Sequence, residues 1–374
     1  MLLLLPVFFL NKKLFQEVPK SVFMLLAFSF FAVVSVCFNY SELEKPLRNI
    51  SKIKYEVFAS FLALLSFYFR KDLKKYLALI FSLFLLSFSF ANFYGVCKWL
   101  YQKYYLNILP ERLGGFFGMC MSYAYTAVLP ILLILSIFVF SELRDLLKKG
   151  IQEVSFLKNF YEKRVLSFLL VLAFIALMMC QTRGEMVGVL VGFPILFYFK
   201  NKKAFYSLFL TSILLIGLAV AYTYKFGNPD NRIFISLNSV NHSERFSQAK
   251  VGMHLFLEKP VFGAGFRSIE ERDPKVKLKY DIPDKDFVGH AHNNFLEVLA
   301  TTGLFGFVFF ILWVLFWVKD IWGISDLGLK SFFLSTVGSF LITGLFQSTF
   351  IDGEFCYTLF ALYALSTGLY SNKG

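Results

Sequence analysis

The residues best suited to chemistry lie in 289–306, which reads Gly-His-Ala-His-Asn-Asn-Phe-Leu-Glu-Val-Leu-Ala-Thr-Thr-Gly-Leu-Phe-Gly. A polar stretch gives way there to a very apolar one, so a helix is expected to begin beside His292. At about 100° per residue, Leu296, Leu299, Gly303 and Gly306 fall within about 40° of His292 on that helix. Glycines on such a stripe let a neighbouring helix approach closely inside a membrane. The imidazole at its outer end meets the positive end of the helix dipole, which favours the neutral, proton-accepting form. His292 is therefore a candidate general base, and helix capping is the plainer alternative.

Arginines are the second group. Arg183 sits in a short turn between two apolar runs, with Glu185 close by. An arginine so near the membrane core is costly and often functional, although one at the end of a span can snorkel to the headgroups. Arg112, in Pro-Glu-Arg-Leu-Gly-Gly-Phe-Phe-Gly, precedes another span. Arg245 and Arg267 fall in a long polar stretch, where solvated charge is the ordinary explanation. Asp352 is followed by Gly353, a turn-forming pair. His290 and His292 could face one way on a strand, but no further ligand stands at metal-binding spacing. Phosphate-binding glycine loops and Gly-x-Ser-x-Gly elbows are missing from the sequence. No cofactor is expected.

The elements that must carry these groups are membrane helices. Of 374 residues, 57% are hydrophobic and 50 are phenylalanine, with a mean hydropathy of +0.62. Runs such as 77–90, 128–140, 165–179 and 307–318 read as spans. The net charge of +13 comes from Lys and Arg clustered in short loops. That is the positive-inside pattern, with no basic face left over for nucleic acid. Five scattered cysteines without a Cys-x-x-Cys pair suggest neither disulfides nor a metal site.

Apolar segments run roughly 1–10, 21–39, 55–69, 76–96, 116–140, 165–181, 184–199, 204–222, 293–318, 331–350 and 354–370. The basic loops 142–164 and 201–203 are expected to be cytoplasmic, which places the turn at Arg183 and the stretch 224–291 outside. The charge of 11–20 resembles that of 40–54, so the rule cannot order those two loops. The expected architecture is an all-α polytopic membrane bundle of about 11–12 helices with one large, partly helical periplasmic loop. Its divisions are 1–222 (amino-terminal bundle), 223–291 (loop) and 292–374 (carboxy-terminal spans). All four histidines, His242, His254, His290 and His292, fall at or inside that loop's end. An amphipathic stretch, 243–258, precedes a helix stop and tight turn at 259–265. The charged run 270–286 reads as mobile.

These residues resemble a known family. His292, Asn293, nine residues, then Gly303-x-x-Gly306 is similar to the signature of the O-antigen ligases and the related O-antigen polymerases. The order of Thr-Arg-Gly at Arg183, Ser-Glu-Arg-Phe at Arg245, and Lys-Pro-Val-Phe-Gly-Ala-Gly-Phe before the His-Asn helix agrees. The likeness spans roughly residues 105 to 370. It implies a glycosyltransferase on the outer face of the bacterial inner membrane, metal-independent, with an undecaprenyl-pyrophosphate-linked glycan as donor. For a ligase the acceptor is a sugar hydroxyl of lipid A-core, and membrane lipids are the remaining partners. The resemblance makes His292 the general base and Arg183 and Arg245 the pyrophosphate clamps. Arg112, Asn293 and Asp352 become supporting positions, and Gly303 and Gly306 serve helix packing. Family members have twelve spans, one more than the apolar segments counted here. Polymerase and protein O-oligosaccharyltransferase are the alternative enzymes. A polysaccharide or lipid transporter is the alternative outside catalysis, and would be expected to carry its polar groups near the membrane midplane.

Overall fold

The computed structural model describes residues 17–107, 113–115, 120–154, 157, 159–226, 240–283, 289–351 and 353–370. These form α1 (Lys20–Phe38), α2 (Pro46–Lys52), α3 (Lys54–Tyr68), α4 (Arg70–Tyr104), α5 (Cys120–Val139), α6 (Ser141–Gly150) and α7 (Lys163–Cys180). They continue with α8 (Arg183–Ile195), α9 (Lys202–Phe226), α10 (Val240–Glu258), α11 (Ile269–Lys279), α12 (Asn294–Trp322), α13 (Leu327–Thr343) and α14 (Gly353–Gly368). The described residues contain no strand. Among the described residues five helices (α1, α4, α7, α9 and α12) are long and apolar enough to cross a membrane unaided, or six spans if the bent α5–α6 pair is counted as one. The protein is a multi-pass, all-α membrane bundle.

The chain divides into two compact units. The first gathers the described residues of Met1–Leu73, Val240–Ser325 and Gly344–Gly374. Its core is aromatic. Phe28 of α1 meets Phe266, Phe310 and Phe350 with ring centroids 5.6 to 6.1 Å apart. Trp313 and Trp317 of α12 stack at 5.4 Å, and the Trp317 indole donates to Ser366 Oγ at 2.8 Å. Bulky rings fill volume, and the buried indole N–H needs that partner.

The second unit gathers the described residues of Lys74–Ser239 and Asp326–Thr343. Here α8 packs closely on α13. A Cβ at Gly188 would lie 2.6 Å from Thr343 Oγ1, and one at Gly192 would lie 3.1 Å from the Ser335 carbonyl. Small residues on both helices allow that approach where apolar burial gives no net drive.

Two expectations change, one about the loop and one about the span 331–350. Residues 270–286 were expected to be mobile, but α11 covers Ile269–Lys279 and buries Ile269, Asp273, Val276 and Lys277. Its charged sequence conceals an internal pair, Lys277 Nζ at 3.3 Å from Asp273, with both side chains at most 1% exposed. Residues 344–350 were expected to extend a span, but α13 ends at Thr343, and the apolar chain beyond it turns back toward the start of α12.

The loop 40–54, which charge could not place, is settled by its contacts. Asn39 Nδ2 donates to the Gly263 carbonyl at 2.9 Å, Arg272 donates to Glu42 at 2.9 Å, and Phe38 stacks on Phe262 at 4.5 Å. This loop therefore lies at the same end of the bundle as α10 and α11.

Candidate active site

The site's foundation is a break in α12. Gly303 has φ 66° and ψ −168°, so the helix is interrupted between Thr302 and Leu304. The turn 260–265 fills the interruption. Ala264 N donates to the Ala300 carbonyl at 2.9 Å, Gly265 N to Thr301 at 3.1 Å, and Leu304 N to Pro260 at 2.8 Å. A Cβ at Gly303 would stand 2.4 Å from the Val261 carbonyl, and one at Gly263 would stand 2.4 Å from the Gly303 nitrogen. Only glycine permits both that φ and that approach. Gly303 therefore serves the docking of the loop, and the unbroken stripe running from His292 to Gly306 does not exist. Gly306 packs against its own helix, where an added Cβ would meet Thr302 Oγ1 at 2.2 Å.

His292 also departs from the helical projection. It stands just before α12 with φ 51°, a left-handed conformation rare outside glycine. Asn293 follows in extended backbone, and its Oδ1 accepts from Leu296 N at 3.0 Å, a helix cap. The same residue donates from N to Ser348 Oγ at 3.1 Å and from Nδ2 to the Leu345 carbonyl at 3.2 Å. Asn294 completes the clasp. Its N donates to the Gly344 carbonyl at 2.7 Å, and its Oδ1 accepts from Phe350 N at 2.8 Å. Glu297, 1% exposed, accepts through Oε2 from Ala291 N at 3.0 Å and from Ser348 Oγ at 3.4 Å. Two residues before Ala291, Asp273 Oδ2 accepts from Gly289 N at 3.3 Å and from Gln248 Nε2 at 2.9 Å. Buried carboxylates thus hold the backbone before His292, at Gly289 and Ala291, and the Asn293 and Asn294 bonds hold it after.

Electrostatics bear on the imidazole. Burial first, then the Arg245 guanidinium, then His290, bring its pKa down to about 4. The neutral form expected from the sequence is obtained, with burial and two neighbouring side chains as its causes. Arg245 lies on α10, half-exposed and within electrostatic range of His292. His254 stacks on Tyr280 at 3.9 Å and is occupied in packing. No group of three or more metal-ligating side chains gathers among the described residues.

Arg183 belongs to the second unit. It opens α8 after left-handed Gln181 (φ 53°) and extended Thr182, and it is half-exposed, while Glu185 is fully buried. Arg112 and Asp352 lie outside the described residues. Arg267, expected as a solvated charge, has a side chain only 5% exposed.

Sequence reasoning missed Asn294, Glu297 and Ser348. Glu297 left a signal, since a carboxylate near the start of a membrane helix is costly unless it has work.

The chain is 29% identical over 177 residues to an uncharacterized protein of Haemophilus influenzae, an alignment covering 43% of this chain and 44% of that protein. The shared part therefore spans less than half the length of that relative. Residues 168–311, which hold Arg183, Arg245, the turn 260–265 and the broken start of α12, match the family model described as O-antigen ligase. Over this part, less than half of its length, the chain is similar to the O-antigen ligase family, and the helical bundle that carries the match agrees with that similarity.

Proposed function

We propose that this protein transfers a glycan from undecaprenyl pyrophosphate to a sugar hydroxyl of lipid A-core, on the periplasmic face of the bacterial inner membrane. The acceptor oxygen attacks the anomeric carbon and forms the new glycosidic bond. His292 takes the hydroxyl proton, and the bond from that carbon to the pyrophosphate breaks. The pyrophosphate departs with the electron pair, still attached to its lipid. Arg183 and Arg245 bind the pyrophosphate, since guanidinium pairs bidentately with phosphate and offsets its growing charge. Asn293 orients the base by capping α12 while tying it to 345–348. Arg112 and Asp352 remain proposed supporting positions.

The observation that carries this reading is His292, kept unprotonated beside Arg245 on a backbone fixed before it at Ala291 and after it at Asn293. A general base must be within reach of its proton and unprotonated at working pH. The test is incubation of the purified protein with lipid-linked glycan and lipid A-core, followed by identification of the product. Lengthened glycan still on undecaprenyl pyrophosphate would assign a polymerase. No transfer to any acceptor would reject the enzyme.

A further inference from the structure

The end of the bundle that carries α10 and α11 holds a basic cluster which the reaction above leaves unused. Four cations, Lys45, Arg48, Lys52 and Lys54, fall within ten residues at and around α2. Contacts place this loop beside residues 259–272, on the side that the positive-inside rule would leave poor in Lys and Arg. Among the described residues neither Arg48 nor Lys52 has an ion-pair partner.

Arg267 reaches the same place from the turn after Gly265. It is held at φ 57° with its side chain 5% exposed, and its Nε and Nη2 are buried without a hydrogen-bond acceptor. Its ion-pair partner, the buried Glu56, stands 3.8 Å away, beyond hydrogen-bond distance. The guanidinium also lies 5.4 Å from the Tyr55 ring centroid, and Tyr55 meets Tyr357 at 5.1 Å. Burial, then Arg267, then Arg48 hold the Lys52 ammonium below the usual lysine range, with Glu270 and Glu297 opposing more weakly. Like charges gathered at a partly dry site are costly, and an anion arriving there offsets the cost.

We propose that Arg48, Lys52 and Arg267 form a second phosphate site, which holds a phosphate group of the acceptor lipid while His292 addresses its sugar. This rests on the glycosyltransferase reading. The two basic groups sit on different elements: Arg245 is on α10, whereas Arg48 and Lys52 are on α2 and Arg267 is on the turn before α11, beside Glu56 and Tyr55 of α3. A transfer between two membrane lipids needs both held at once, one on each side of the reacting carbon. Arg245 sits with the base and takes the departing pyrophosphate. The Lys52 cluster, anchored to the outer end of α3, is left for the other lipid.

The test uses full-length protein in phosphatidylcholine nanodiscs without donor. The probes are lipid A-core and the same lipid stripped of phosphate by aqueous hydrogen fluoride. Wild type is expected to bind the phosphorylated form about tenfold more tightly, the scale of one or two charge-assisted contacts. Arg48→Gln and Lys52→Gln, both away from the packed core, should lose that preference. Arg267→Lys should weaken it, because the planar fork is lost while the charge stays. Equal binding of both lipid forms by wild type would overturn the proposal. So would weaker binding of undecaprenyl pyrophosphate in Arg48→Gln and Lys52→Gln, which would give the cluster to the donor. Displacement of lipid A-core by phosphatidylglycerol at equal ratio would make it a general headgroup site and overturn the acceptor assignment. A wild type that keeps the phosphate preference but transfers no glycan would support the site and reject the glycosyltransferase reading. Transfer at equal rates to both acceptor forms would do the reverse.

Discussion

The starts of α8 and α12 are built alike and used differently. Each is preceded by a left-handed non-glycine residue, Gln181 at φ 53° and His292 at φ 51°, and then by an extended one, Thr182 or Asn293. At α8 the functional candidate is Arg183, the first helical residue, and Thr182 makes no side-chain cap. At α12 the candidate is His292, the left-handed residue itself, and Asn293 caps the helix while tying it to 345–348. A phosphate clamp tolerates a flexible side chain on a plain turn. A proton acceptor needs its ring held in one place, and a strained residue between two anchored neighbours supplies that.

The sharpest way to break this contrast is His292→Ala. Transfer should fall by about two to four orders of magnitude, the usual scale for a general base, while the protein remains folded. An inactive His290→Ala beside a working His292→Ala would move the role by two residues. Next come Arg183→Lys and Arg245→Lys, each expected to weaken undecaprenyl pyrophosphate binding about tenfold by losing the bidentate fork. Donor titrations in nanodiscs measure this. Unchanged affinity in both would return the arginines to snorkelling and solvated charge.

A smaller effect lies in pH. The base must be neutral, so with its pKa near 4 the acidic limb of kcat/KM should lie well below that of an ordinary histidine near 6.5. Removing the Arg245 charge relieves one cause of the depression. Arg245→Gln should therefore move the limb to higher pH, and a stationary limb would sever the pairing of these two residues. The smallest effect separates the helix starts directly. Asn293→Ala should lower stability by about 1 kcal/mol through its lost cap, whereas Thr182→Ala should cost only about a few tenths. Thermal unfolding in detergent compares them, and equal losses would mean that the two starts are not distinguished by capping.

Much of this was legible in the sequence, and the omissions have causes. Apolar runs marked the helices from residue 21 onward because lipid demands continuous apolar surface and internal backbone bonding. The break at Gly303 was hidden because glycine inside a helical pattern also reads as a packing contact. Residues 344–350 misled because they are apolar, yet they serve as hydrogen-bonding partners through their backbone. Arg267 and the Asp273–Lys277 pair misled in the opposite sense. Charge in a polar stretch suggests solvent, and only tertiary structure shows it buried. The spacing of His292, Asn293, Gly303 and Gly306 marked a segment that falls within the family match, and its geometry is that of a broken helix.

The break also has a consequence for how the protein is made. Residues Asn294–Thr302 cannot satisfy the carbonyls of Ala300 and Thr301 within the helix, and these accept from Ala264 N, Gly265 N and Ser35 Oγ. Bare carbonyls at the membrane edge are costly, so this half of α12 matures only against segments already in position. Ser35 and the turn 260–265 both precede α12 in the chain and leave the ribosome first. Synthesis from the amino terminus therefore delivers the receptors before the helix that needs them, and a circular permutant opening at α12 would reverse that order.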